Sequence, residues 1–292
     1  MNKMLDEGTR KSILAAQRNE ITEHHVYEKL SKASKDPNNA EVLKRISEDE
    51  RKHYDFWKSY TGEEARPDGK KIWWYSLLSR LFGITFGLKL MEKGEEKAQA
   101  TYDKISGVLP EAKRIVKDED VHEAQLLQLI DEERLRYVGS VVLGLSDALV
   151  ELTGTLAGLT LALQSARLIA MVGLITGVAA SLSMATSEYL STKSEGGTKN
   201  PLKASTYTGF AYVLTVFLLI LPYLVFENFY LCLASAILNA IAIILVFTFY
   251  ISVAKDLPFR NRFLEMATVS LGIAALSFGI GFVVRLFLDV EV

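Results

Sequence analysis

The chain has 292 residues, and its 33 Lys/Arg against 35 Asp/Glu leave a net charge of −2 and no basic run suited to nucleic acid. The single cysteine, Cys232, lies in an apolar segment, which excludes disulfides and Cys-type zinc sites within one chain. The averages conceal a division: residues 1–137 hold 25 of the basic and 26 of the acidic side chains and all four histidines, leaving 8 and 9 charges to the other 155 residues.

Met1–Arg18 is polar and charged, so no cleavable signal peptide is expected. Residues 4–34 and 39–60 read as helices separated by the turn signal Asp36-Pro37-Asn38-Asn39. A break from Thr61-Gly62 to Pro67-Asp68-Gly69 precedes a long third segment, Lys71–Gly107. Pro110 opens a fourth helix that is expected to run through Arg134 into the membrane. Within the third segment Ile72-Trp73-Trp74-Tyr75 and Leu77–Leu90 are unusually apolar. They read either as a buried crossover and core helix or as an interfacial helix resting its tryptophans on a bilayer.

The motif that carries chemistry is Glu-x-x-His, present twice as Glu50-Arg51-Lys52-His53 and Glu119-Asp120-Val121-His122. Positions i and i+3 share a helix face, so each pair can address one metal ion. The first helix adds Glu20, followed seven residues later by Tyr27, and the third adds Glu95, followed seven later by Tyr102. One glutamate from each of two helices and Glu-x-x-His from each of the others is the ligand set of a dinuclear carboxylate site. Oxygen and nitrogen donors without thiolate suit iron or manganese, and ligand type alone leaves zinc open. Glu23, His24, Glu92 and Glu96 lie within a turn of these positions and are further ligand candidates, whereas His25 and Glu123 are expected to be exposed. On these residues, 1–135 resembles a rubrerythrin-type member of the ferritin-like superfamily, which implies a four-helix bundle holding dinuclear iron or manganese. Two features depart from that family. Ala98 stands where rubrerythrins carry a further glutamate, and there is no Cys-x-x-Cys module to feed electrons.

The remainder, residues 136–292, reads as a membrane domain with five spans, at about 138–163, 168–190, 206–226, 230–252 and 265–288, each near the roughly 20 residues that cross a bilayer. Arg134, Arg136, Lys193, Lys199, Lys203, Lys255, Arg260 and Arg262 flank one side, against Arg167 and Arg285 on the other. That bias predicts a cell-membrane protein with its N-terminal domain in the cytoplasm and its C-terminus outside.

Asp147 and Glu151 are i and i+4 in the first span, roughly 13 and 20 Å along it from Val138. Ionisable groups at such depth are functional hypotheses by default, and a cation is their natural partner. The second span places Met184 and Glu188 in the same relation. Glycines 139, 144, 154, 158, 173 and 177 allow either close helix approach or flexibility. Asn239, Tyr207 and Tyr212 are further polar groups that the sequence does not place.

Gly144–Gly158 and Ser181–Tyr189, with five spans and the N-terminus inside, resemble the vacuolar iron transporter family. That resemblance implies a homodimer exchanging divalent metal for protons, with Asp147 and Met184 on the metal path and Glu188 near its cytoplasmic entrance. Plant members carry a glutamate-rich segment between spans two and three, where this chain has only Ser194–Ser205, and the soluble domain is a candidate replacement for it. The whole chain resembles fusions of the two modules known as membrane-bound ferritins. The expectation is therefore an all-α protein, a cytoplasmic ferritin-like bundle joined to five transmembrane helices, that exports Fe2+ or Mn2+. A membrane-tethered di-iron oxidase or peroxidase is the alternative.

Overall fold

The computed structural model describes residues 6–91, 105, 109–129, 132–197 and 199–288. It divides into two compact units, Met1–Asp131 and Glu132–Val292. Every regular element among the described residues is helical.

Unit 1 begins with α1 (Glu7–Ala33) and α2 (Pro37–Thr61), which pack along one another. Each has an aspartate N-cap: Asp6 accepts from the Thr9 amide at 2.9 Å, and Asp36 from those of Asn38 and Asn39 at 2.8 and 3.0 Å. The residues expected to form a turn at 36–39 are thus the cap and first turn of α2, since proline at the first helical position presets the helical φ and forfeits only an amide that would be unpaired there. The long third segment, Lys71–Gly107, is broken within its described part. α3 covers only Gly69–Phe82, because Gly83 adopts φ 97°, which non-glycine residues rarely tolerate, and the helix restarts at residues 84–91. The expected remainder of that helix, with Glu92, Glu95, Glu96, Ala98 and Tyr102, lies outside the described residues. After a short 3-10 turn at Pro110–Ala112 comes α4 (Lys113–Leu129). The expected continuity of this helix into the membrane falls on residues 130 and 131, also outside them.

Two apolar clusters fill unit 1. One gathers Ile13, Ala16, Trp57, Ala112 and Ile115; the other gathers Val26, Leu30, Leu43, Ile46 and Leu126. Between these levels on α1, α2 and α4 stand Glu20, Glu50, His53, Glu119 and His122. The apolar periodicity of three helices is interrupted at one height by ionisable residues.

Unit 2 comprises α5 (Glu132–Leu163), α6 (Ala166–Glu195), α7 (Pro201–Val225), α8 (Phe229–Ala254) and α9 (Phe259–Leu288). All five are long and apolar enough to cross a membrane, and α5 packs against each of the other four. Glycines permit this central position. A Cβ on Gly144 would meet the Thr208 carbonyl oxygen at 2.3 Å, and one on Gly281 the Gly158 carbonyl oxygen at 2.1 Å. Gly154, Gly158, Gly173 and Gly177 also face neighbouring helices closely, whereas Gly139 meets nothing within 4 Å. Asn239 Nδ2 donates to the Leu218 carbonyl oxygen at 2.9 Å, and Tyr207 stacks on Tyr137 with ring centroids 5.3 Å apart.

Candidate metal centre

The polar layer of unit 1 is deeply buried: Glu20 is 0%, Glu50 1%, and His53 and His122 each 5% exposed. Burying such groups among apolar side chains costs several kcal/mol unless each charge is compensated, so the layer needs a reason to exist. Glu20, Glu50, His53 and Glu119 offer ligand atoms that all lie within 4.8 Å of one another, and this cluster can bind a metal ion. His122 joins it, with its Nδ1 3.1 Å from Glu50 Oε1 and 3.8 Å from Glu119 Oε2. His53 Nδ1 lies 3.1 Å from Glu119 Oε1, 3.5 Å from Glu20 Oε2 and 3.6 Å from Glu50 Oε2. Both imidazoles therefore turn Nδ1 inward. Five of the six ligands expected from the sequence are brought together, and the sixth, Glu95, lies outside the described residues.

The alignment of these atoms tests whether a metal fits. Glu50 Oε2, His53 Nδ1, Glu119 Oε1 and His122 Nδ1 are buried without a well-directed hydrogen bond among the described residues. Acceptors and imidazole nitrogens that converge on common space rather than on each other are arranged as ligands are. Electrostatics agree. Burial opposes charge on His53 and His122, yet their carboxylate neighbours prevail: His122 is pushed up to about 10, and His53 is raised further. Burial acts to raise Glu119, but His122 and His53 hold it down at about 2. Glu20, fully enclosed, is pushed well above the carboxylate range chiefly by desolvation.

The supports of this cluster were not read from the sequence. Trp57 Nε1 donates to Glu20 Oε1 at 2.9 Å. Asp118 Oδ2 sits 3.5 Å from His53 Nε2, and Asp49 Oδ2 sits 3.5 Å from His122 Nε2. Each aspartate precedes a ligand glutamate on one helix and reaches the histidine of the other. A carboxylate behind a histidine fixes its ring and tautomer for coordination by the opposite nitrogen. The available signal was the repeated Asp-Glu-x-x-His of Asp49–His53 and Asp118–His122. On this outer side a recess of about 500 Å³ is lined by Asp49, Lys52, His53, Arg114, Asp118 and His122, among others. His24 is drawn elsewhere: its Nδ1 lies 2.7 Å from the Ser47 carbonyl oxygen, and it clusters with His25 and Glu28.

In unit 2 the four membrane candidates sit on α5 and α6. Glu188 accepts from Ser140 Oγ at 2.6 Å, and Glu151 accepts from the Tyr212 hydroxyl at 2.7 Å. Ser140, Asp147 and Glu151 follow at intervals of seven and four residues on α5, which set them at levels about 10 and 6 Å apart. Glu188, held by Ser140 from the neighbouring helix, thus stands at one height along α5, and Asp147 and Glu151 mark two more. None of them enters an ion pair with Lys or Arg among the described residues. Met184 packs against the apolar cluster of the unit. Tyr212 was noticed in the sequence but not placed, and Ser140 carried no signal beyond being a small polar residue in a span.

No curated protein matches the chain. Residues 138–198, which contain Asp147, Glu151, Met184 and Glu188, match the model of the VIT family. That match and the five apolar helices support an integral membrane protein with a VIT-type domain, and they point to transport of a metal ion, iron or manganese.

Proposed function

We propose that this protein moves Fe2+, and also Mn2+, out of the cytoplasm in exchange for protons, and that unit 1 collects or senses the ion. The observation that carries this reading is the carboxylate ladder of Glu188, Asp147 and Glu151, inside the segment that matches the VIT family and supplied with neutral donors instead of cations. Glu151 is exposed on the surface of unit 2 while lying deep in an apolar span, which favours a homodimer whose second copy covers it. The excess of Lys and Arg on one side of the spans favours a cytoplasmic N-terminal unit. In unit 1 the metals would be held by Glu20, Glu50, His53, Glu119 and His122, with Glu95 completing the set. The test is uptake of Fe2+ and Mn2+ by proteoliposomes under an imposed pH gradient. Flux in the wild type that disappears in Asp147→Ala supports the assignment. Flux retained in that variant, with metal still bound by unit 1, overturns it.

One observation favours a second reading, a membrane-tethered di-metal oxidase or peroxidase. The recess beside His53 and His122 is large enough for a small oxidant. A dinuclear iron centre bound there would supply redox chemistry, while Asp49 and Asp118 would orient the two imidazoles. This reading predicts metal-dependent peroxide consumption by the full chain that is lost in Glu119→Ala and unchanged in Asp147→Ala.

A further inference from the structure

Helix α3 has two faces. Ile72, Leu78 and Ser79 are buried, and Ile72 joins Val26, Leu30 and Leu43 in the core of unit 1. The other face is apolar as well. Trp73 is 61% exposed, Trp74 47% and Leu81 66%, while Leu77 between them is half-buried. These positions recur at helical spacing, so the exposed groups form one stripe instead of scattered contacts. Beside the stripe, Lys70, Lys71 and Arg80 are exposed, and Gly69–Phe82 contains no acidic residue. A chain of net charge −2 therefore carries a local charge of +3 around two exposed indoles.

We propose that this face of α3 rests in the headgroup layer of an anionic bilayer. Indole rings favour that depth, where an apolar body meets a polar boundary, and flanking lysines and arginines find lipid phosphates there. Asp131, the last residue of unit 1, is followed directly by α5, which enters the spans, so the lipid surface is present at high effective concentration. A second copy of the same face is a poorer occupant, because an isologous contact would set +3 against +3. The proposal rests on the five spans and not on what they transport. Docking of this kind would limit the orientations open to unit 1.

The sequence supplies a clean reporter. Its three tryptophans are Trp57, Trp73 and Trp74, so none lies in a span, and Trp57 is buried within unit 1. The full chain is placed in nanodiscs of phosphatidylcholine and phosphatidylglycerol whose acyl chains are brominated near the headgroup, and tryptophan emission is compared with that in unbrominated discs. Emission is expected to fall by about half or more, as indoles at the acyl boundary meet bromine directly. Trp73→Phe/Trp74→Phe keeps the face apolar and leaves Trp57 alone, and its emission should be insensitive to bromine. Lys70→Glu/Lys71→Glu should recover most of the lost wild-type emission, as should exchange of phosphatidylglycerol for phosphatidylcholine. Wild-type emission quenched no more than that of the phenylalanine variant would overturn the proposal. Insertion into the nanodisc is scored separately, so a failed docking result is distinct from a failure of the membrane reading.

Discussion

Loading the cluster of unit 1 with a divalent ion should expel at least about two protons per chain near pH 7, because a coordinating imidazole must be neutral. In the metal-free chain His122 is pushed up to about 10 and His53 is raised further, against an ordinary value of 6.5, so both rings are charged there. Each displaced proton makes apparent affinity change about tenfold per pH unit, so two give about a hundredfold per unit and about ten-thousandfold between pH 8 and pH 6. The direction is loss of metal on acidification, and the dependence lessens above about 10, where His122 has already lost its proton. The assay adds Zn2+, a redox-silent probe, to the detergent-solubilised full chain in weak buffer with a pH indicator. The membrane carboxylates contribute equally to wild type and to His53→Ala/His122→Ala, so the difference counts the protons released at the unit 1 cluster, those of the two rings together with any held by Glu20. A difference below about one proton, or an affinity flat from pH 6 to 8, would show that the rings are neutral before metal arrives and would refute the reasoning.

The same groups set the pH limits of metal-free unit 1. The raised His122 stabilises fully below its ordinary 6.5 and loses that contribution as pH rises through about 10, while the depressed Glu119 stabilises above 4.5 and loses it as pH falls through about 2. Thermal melts of the metal-free chain should therefore decline toward both extremes, and the raised Glu20 adds a loss of stability as pH climbs above its ordinary 4.5. Asp49→Asn and Asp118→Asn keep the shape but weaken the carboxylate behind each ring, and calorimetry should find metal affinity reduced about 10- to 100-fold in either. In unit 2, Gly144→Val forces side-chain atoms into the 2.3 Å gap before the Thr208 carbonyl oxygen. Overpacking of this kind costs about 1–3 kcal/mol, and the melting midpoint of the solubilised chain should drop, whereas Gly139→Val should leave it near wild type.

What could be read in the sequence was whatever follows from period. The Glu-x-x-His pairs were legible because i and i+3 share a face in any helix, and the spans because length and apolarity suffice to define them. What depends on another part of the chain was not. Gly83 and Gly87 lie in one apolar run, yet only Gly83 takes a positive φ and ends α3; Gly87 stays helical, with its Cα facing Ser79 so closely that a Cβ would come within 1.9 Å of Ser79 Oγ. Composition cannot distinguish those two roles. The roles of Asp49 and Asp118 could not be read from their repeated place before Glu-x-x-His for a related reason. Each stands beside a ligand glutamate but acts on the opposite helix, so its purpose exists only once α2 and α4 are packed. Trp73 and Trp74 could be read as core or as interface, and their exposure opposite the buried Ile72, Leu78 and Ser79 excludes the first.

The two acidic constellations differ most in how their charge is balanced, and that difference bears on what each can do. The cluster of unit 1 contains its own cations: with His53 and His122 charged, the half-buried Glu119 remains ionised. When one divalent ion enters and two protons leave the imidazoles, two positive charges replace two, so the layer is balanced both empty and with that ion bound. That suits retention. The ladder of unit 2 receives hydrogen bonds from Ser140 and Tyr212, which orient the Glu188 and Glu151 carboxylates but bring no charge. In a span, such groups are balanced only while a metal ion or protons occupy them. Departure of a divalent ion would then, on the proposed reading, require protons to take its place, and entry of the next would require their release. On the proposed reading, exchange of metal for protons is then a consequence of electroneutrality at Glu188, Asp147 and Glu151, and neutralising Asp147 removes the middle step of that exchange.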